Sequence, residues 1–129
     1  MKGDISPRLA AGTLIFTGYA DDYLQVNHTS YGSGISIHQG KLLDNWGPER
    51  LRDLNIAHLA PLSEPAPEVL ILGTGRLTAF PDADILDYMA ERHIGFECMD
   101  SRSAARTYNI LVGEGRTVSA AILLPGARK

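Results

Sequence analysis

The sequence predicts an α/β fold in one domain, with a β-rich, antiparallel first third joined to a β-α-β unit. Three observations carry this. Val69-Leu70-Ile71-Leu72 is an unbroken apolar run between Pro67 and Gly73-Thr74-Gly75, as in a strand covered on both faces. Gly34 to Leu43 alternates apolar and polar residues around Gln39-Gly40, as in a hairpin. Ile85, Leu86 and Met89 recur at helical spacing, behind Pro81-Asp82 and ahead of Phe96-Glu97-Cys98-Met99.

The 129 residues suffice for one domain with a core and are too few for two ordinary ones. Apolar residues make up 44% and charged residues 21%, a globular composition. A net charge of −3 without a basic cluster argues against a nucleic-acid partner. The single Cys98 excludes an internal disulfide and a cysteine-based metal site. No stretch approaches the ~20 apolar residues that span a bilayer, so an integral membrane protein is not expected. Leu14-Ile15-Phe16 is too short for a signal sequence, and the expected location is cytoplasmic.

Taken in order, residues 1–11 read as a loose arm at the start of the single domain. Residues 13–17 and 23–27 read as strands separated by turn residues 18–22, and the polar 27–34 as a loop. The hairpin over 34–38 and 41–43 runs on toward Trp46 and is stopped by Gly47-Pro48. Asn55 is placed to cap a short helix over 56–60, and Pro61, Pro65 and Pro67 deliver the chain to the central strand. A helix is expected over 82–93, with acids in its first turn and Gly95 as its C-cap. After the strand over 96–99, Asp100 or Ser101 can cap a helix over 102–112, on which Ala104, Ala105, Tyr108 and Leu111 share a face. Gly113 and Gly115 break it, and residues 116–124 form a final strand whose direction the sequence leaves open.

The candidate site follows from the rule that ligands of open α/β sheets lie outside the C-terminal ends of the strands. Gly73, Thr74, Gly75 and Arg76 stand there, and glycine-loop N–H groups can cradle an anion. The loop lacks the third glycine and immediate helix of a dinucleotide fingerprint and the Gly-Lys-Ser/Thr of a P-loop. The same residues also read as a structural turn. Asp100 and Ser101 end the neighbouring strand and reach the same sheet edge, with Arg106 and Asn109 on the next helix. A cap role for Asp100 and Ser101 stands beside ligand recognition. His28, His38, His58 and His93 are dispersed without metal-ligand spacing, so neither a metal nor another cofactor is expected. Ser33, in Tyr31-Gly32-Ser33-Gly34, lacks the nucleophile-elbow context. Cys98 is expected as a small buried hydrophobe, Tyr108 as core, and Trp46 as a candidate interface anchor.

PEVLILGTG (67–75), FECMDSRSAARTYNILVGEGR (96–116) and VSAAILLP (118–125), with the IxIxxG hairpin over 35–40, resemble the uncharacterised Mth938-like domain family. That family also includes a mitochondrial respiratory complex I assembly factor. The resemblance implies a three-layer α/β domain with a mixed central sheet and a β-rich N-terminal hairpin region. It implies no established reaction. The family's motif positions fall on Gly73, Thr74, Gly75, Asp100, Ala105, Thr107, Asn109, Glu114, Gly115 and Arg116. Family members commonly carry Thr where this chain has Ser101, which keeps the hydroxyl.

The leading expectation is a non-enzymatic binding or assembly module working through a protein partner, possible also as a homodimer. The alternatives are a small-molecule or anion-binding protein using Gly73–Arg76 with Asp100 and Ser101, and a hydrolase or transferase using Asp100 and Arg106. The last is disfavoured because an arginine beside an acid lowers its pKa and makes it a poor proton carrier at neutral pH.

Overall fold

A computed structural model describes residues 9–129. The arm expected over 1–11 therefore falls largely outside the described residues. Eight strands and three α-helices follow in order: β1 Phe16–Ala20, β2 Tyr23–Val26, β3 Thr29–Tyr31, β4 Ile35–His38, β5 Lys41–Leu43, α1 Ile56–Leu59, β6 Val69–Gly73, α2 Ala83–Glu91, β7 Gly95–Met99, α3 Ser101–Gly113 and β8 Val118–Ile122. Single 3-10 turns flank α1 at Leu51–Asp53 and Ala60–Ser63.

The central sheet is mixed, in the order β5-β4-β8-β6-β7, and β1-β2-β3 form a separate antiparallel sheet. β6 is parallel to β7 on one side and to β8 on the other, while β4 runs antiparallel to β8. The crossovers β6-α2-β7 and β7-α3-β8 thus travel across the sheet in opposite directions. Crossovers of one hand must then place their helices on opposite faces.

Alternation along the strands shows that they do. Val69, Ile71, Ala120, Ile122, Ile35 and Ile37 share a core with Ala104, Ala105 and Tyr108 of α3 and with Phe16, Leu24 and Val26 of the small sheet. Leu70, Leu72, Ala121 and Leu123 face the other way, onto Ile85 and Met89 of α2 and Leu51, Leu54, Leu59 and Leu62. The three layers are α1 and α2, the central sheet, and α3 with the small sheet. β6, buried at every position, is the strand covered on both faces that its apolar run predicts.

Several elements depart from expectation. β1 lies three residues later than the strand expected over 13–17, because Gly18-Tyr19-Ala20 pairs with β2 before the chain turns at Asp21-Asp22. Thr29–Tyr31, expected as loop, pairs with β2 as an edge strand. α2 ends at Glu91, and the reversal falls on His93 in the left-handed region, φ +57, with no role for Gly95 as C-cap. Gly95 opens β7, where a side chain would come within 3.0 Å of the Glu68 carbonyl.

Candidate functional site

The C-terminal ends of β6 and β7 meet at the expected place, and the register brings Gly73 opposite Met99. Thr74, Gly75, Arg76, Asp100 and Ser101 lie together there. Their hydrogen bonds run to one another and to the rest of the chain.

The backbone N–H groups of Thr74, Gly75 and Arg76 are all taken. Thr74 donates to the Met99 carbonyl at 2.8 Å, Gly75 to Ser101 Oγ at 2.9 Å, and Arg76 to the Ala127 carbonyl at 2.9 Å. Ser101 N–H returns a bond to the Gly75 carbonyl at 2.9 Å, so the two residues are tied twice. Thr74 Oγ1 donates to the Leu77 carbonyl at 2.6 Å and accepts the Ala79 N–H at 3.3 Å, holding the loop in a closed turn. Thr78 Oγ1 accepts the Asp100 N–H at 3.1 Å. Gly75 sits at φ +99, and a Cβ there would lie 2.4 Å from the Ala127 carbonyl oxygen. The segment after β8 therefore fills the crevice in which an open α/β sheet usually takes a ligand.

The side chains are engaged in the same way. Asp100 caps α3, accepting the Ser103 N–H at 3.1 Å and the Ser103 hydroxyl at 2.7 Å. Partial burial pushes its carboxyl up, but those two bonds and the nearby Arg106 outweigh it and hold the group below its ordinary value. Arg106 donates to Tyr19 Oη at 2.6 Å and Ser103 Oγ at 3.3 Å. Asn109 works as a backbone mimic: its Oδ1 accepts the Phe16 N–H at 2.9 Å and its Nδ2 donates to the Phe16 carbonyl at 2.8 Å. Arg106 and Asn109 thus pin the small sheet to α3, away from the glycine loop.

Asp21 is the residue that sequence reasoning missed. It sits at the β1–β2 turn and takes Arg76 at 3.2 Å and Arg102 at 2.6 Å. The hydrogen bond from Arg102, then the charge of Arg76, lower its pKa, in a fully solvated setting where such pairs contribute little stability. Asp21 looks like turn chemistry in the sequence, and its partners lie 55 and 81 positions away.

Trp46, the candidate interface anchor, lies in the α2-side core at 6% exposure and donates its indole N–H to the His58 carbonyl at 2.9 Å. That leaves almost none of the ring for a partner. Tyr108 is in the α3-side core, edge-on to Phe16. Cys98 is half-buried, and burial with the adjacent Glu97 charge pushes its thiol up to about 12. Ser33 accepts the Asn45 N–H at 2.7 Å, which is turn chemistry, beside a cleft of about 640 Å³ lined by Asp21, Trp46, Glu49 and Arg76.

The described residues hold one serine–histidine pair, Ser119 Oγ 2.7 Å from His38 Nδ1, with His38 Nε2 3.1 Å from the Glu64 carbonyl. Ser119 is 1% exposed, so the pair ties β4, β8 and the Glu64 loop together without offering a reachable nucleophile. Among the described residues no three metal-ligating side chains cluster, and no helix is long and apolar enough to cross a membrane. After the glycine loop, alongside the exposed Arg76 and Thr78, the chain presents two apolar side chains: Leu77 is 59% and Phe80 71% exposed.

A family model described as "Protein of unknown function (DUF498/DUF598)" matches residues 16–123. The "NADH dehydrogenase [ubiquinone] 1 alpha subcomplex assembly factor 3" of Danio rerio is 31% identical over 120 residues, covering 92% of this chain and 68% of that protein. The chain spans 48% of the Xenopus tropicalis protein of the same name. A crystal structure of a Bordetella parapertussis protein superposes with TM-score 0.82 at 34% identity, over 89% of this chain and 98% of that one. The solution structure of a Bordetella pertussis protein described as a Mth938-like domain gives TM-score 0.78 at 30% identity, over 98% and 94%.

Proposed function

This chain belongs to the Mth938-like family of proteins of unknown function (DUF498/DUF598), and from that premise we propose that it is a non-enzymatic binding module that works through contact with a protein partner. One observation carries the reading. At the ligand position of the sheet, Thr74, Gly75 and Arg76 spend their three N–H groups inside the chain, and the residues that follow turn Leu77 and Phe80 outward. A catalytic loop needs the opposite arrangement, with polar groups free to meet substrate. The groups with displaced pKa agree, since all move away from neutrality: Asp21, Glu68 and Asp100 down, Cys98 and Tyr108 up.

The assembly-factor name of the Danio rerio relative suggests the kind of partner, a subunit of a respiratory complex. Native affinity purification of the chain from its own cells, analysed for proteins and small molecules together, tests this. A respiratory-complex subunit recovered in stoichiometric amount supports the reading. Recovery of the chain alone, or with a small molecule in place of a protein, overturns it.

A second reading has one specific observation behind it. A cleft of about 330 Å³ beside the loop is lined by Thr74, Arg76, Leu77, Ala127, Arg128 and Lys129, three of them cationic and none acidic. It would take a small anion on side chains rather than on backbone N–H groups. Inorganic phosphate titrated against the wild type and Arg76→Ala, followed by calorimetry, decides it.

A further inference from the structure

β7 ends the central sheet, and its hydrogen bonds show which of its groups face outward. Gly95 N–H donates to the Glu68 carbonyl and the Met99 carbonyl accepts from Thr74, so Gly95, Glu97 and Met99 bond to β6. In a parallel ladder the alternate residues point away. The N–H and C=O groups of Phe96 and Cys98 therefore form an open edge, and nothing among the described residues pairs with them. Just beyond, the edge is closed off: Thr78 takes the Asp100 N–H and the Asp100 carbonyl accepts the Ala104 N–H. The opposite edge, β5, has only three residues and begins with Lys41, which blunts it.

An open edge invites a second copy, and here the register forbids it. Antiparallel self-pairing can satisfy every open group in one way only, with Phe96 opposite the other chain's Cys98 and the two-fold axis through Glu97. That register sets two Glu97 carboxylates directly opposite each other, in the closely spaced, non-hydrogen-bonded position. Glu97 is exposed, and none of the ion pairs among the described residues engages it. The two neighbouring registers need the Ile94 N–H or the Asp100 N–H, already bonded to Met89 and Thr78.

We infer that β7 is a strand-addition edge guarded against its own copy by Glu97, and that it accepts an extended segment of another protein carrying Lys or Arg opposite Glu97. The segment would exchange four hydrogen bonds with Phe96 and Cys98, and its basic residue would meet the carboxylate. This rests on the protein-contact reading above and gives that reading a specific edge.

The test uses the chain as its own probe. Glu97→Lys also repels itself, but mixed with wild type it places the introduced lysine opposite Glu97. At about 100 µM, native mass spectrometry and sedimentation should show at least about tenfold more dimer in the 1:1 mixture than in either chain alone. That dimer should vanish when Cys98→Pro is added to either chain, because the proline removes an outward N–H and leaves the ladder with β6 intact. Amide exchange at Phe96 and Cys98 should slow on mixing, a readout that does not depend on the proline variant folding. A mixture that stays monomeric with unchanged exchange overturns the proposal, as does a wild-type dimer through β7 at neutral pH. Either result leaves the partner recovered by affinity purification untouched, so the two failures are distinguishable.

Discussion

Ser101→Ala removes one oxygen from the joint between β6 and α3. Ser101 is 0% exposed and Gly75 is buried, so water cannot replace the lost acceptor at 2.9 Å. Leaving a buried N–H unpaired costs about 2 kcal/mol. Alanine at the first helical position returns roughly 0.4 kcal/mol through propensity, for a net loss of about 1.6 kcal/mol. Unfolding entropy of ~2.1 cal/mol/K per residue gives about 0.27 kcal/mol per degree for a chain this long, so Tm should fall by about 6 °C. Thermal unfolding by circular dichroism reads this directly, and amide exchange at Gly75 should speed up by the same free energy. Ser101→Thr keeps the hydroxyl and serves as the control. A fall of less than about 2 °C with Gly75 exchange unchanged would refute the view that the loop is held by Ser101.

Gly75→Ala should be worse, since it adds a disfavoured φ to a Cβ 2.4 Å from a backbone oxygen; about 3 kcal/mol or more, roughly 11 °C in Tm, is expected. Asn109→Ala removes both side-chain bonds to Phe16, and a loss of about 1–2 kcal/mol in urea unfolding should accompany faster exchange at the Phe16 amide. Asp100 has a lowered folded pKa, so its stabilisation is complete above its ordinary 3.8 and is lost as pH falls through the folded value. Urea unfolding from pH 6 to pH 2 should show the wild type ahead of Asp100→Asn at the upper end, with the gap closing below about pH 4.

The middle of the fold was legible because burial writes itself into period. β6 is apolar at consecutive positions since both its faces are covered, and α2 and α3 carry their stripes because each lies on one face. β3 was not legible because Thr29 and Ser30 are exposed on an edge and bury too little to leave an alternation. The direction of β8 was hidden because a strand buried at Ser119 to Ile122 reads the same both ways. At the candidate site the sequence brings the right residues to one edge, since parallel β6 and β7 fix their C-terminal ends together. It does not reveal that the chain satisfies them itself, because Asp21 and Ala127, which close the site, come from distant turns without hydrophobic pattern. Trp46 looked like a surface residue from its place beside Gly47-Pro48. Its burial comes from joining the core on the α2 side of the sheet, edge-on to His58, contacts that sequence spacing does not encode.

We propose that Leu77 and Phe80, and not the backbone of the Gly73–Arg76 loop, hold the protein partner. Quantitative co-purification of the wild type, Leu77→Ser/Phe80→Ser and Arg76→Ala, each at native level, tests it most directly. The double variant, folded to wild-type Tm because both side chains are exposed, should lose its protein partner at least about tenfold, while Arg76→Ala should keep it. Retention of the partner by the double variant, or its loss on Arg76→Ala alone, would show that Leu77 and Phe80 do not hold it.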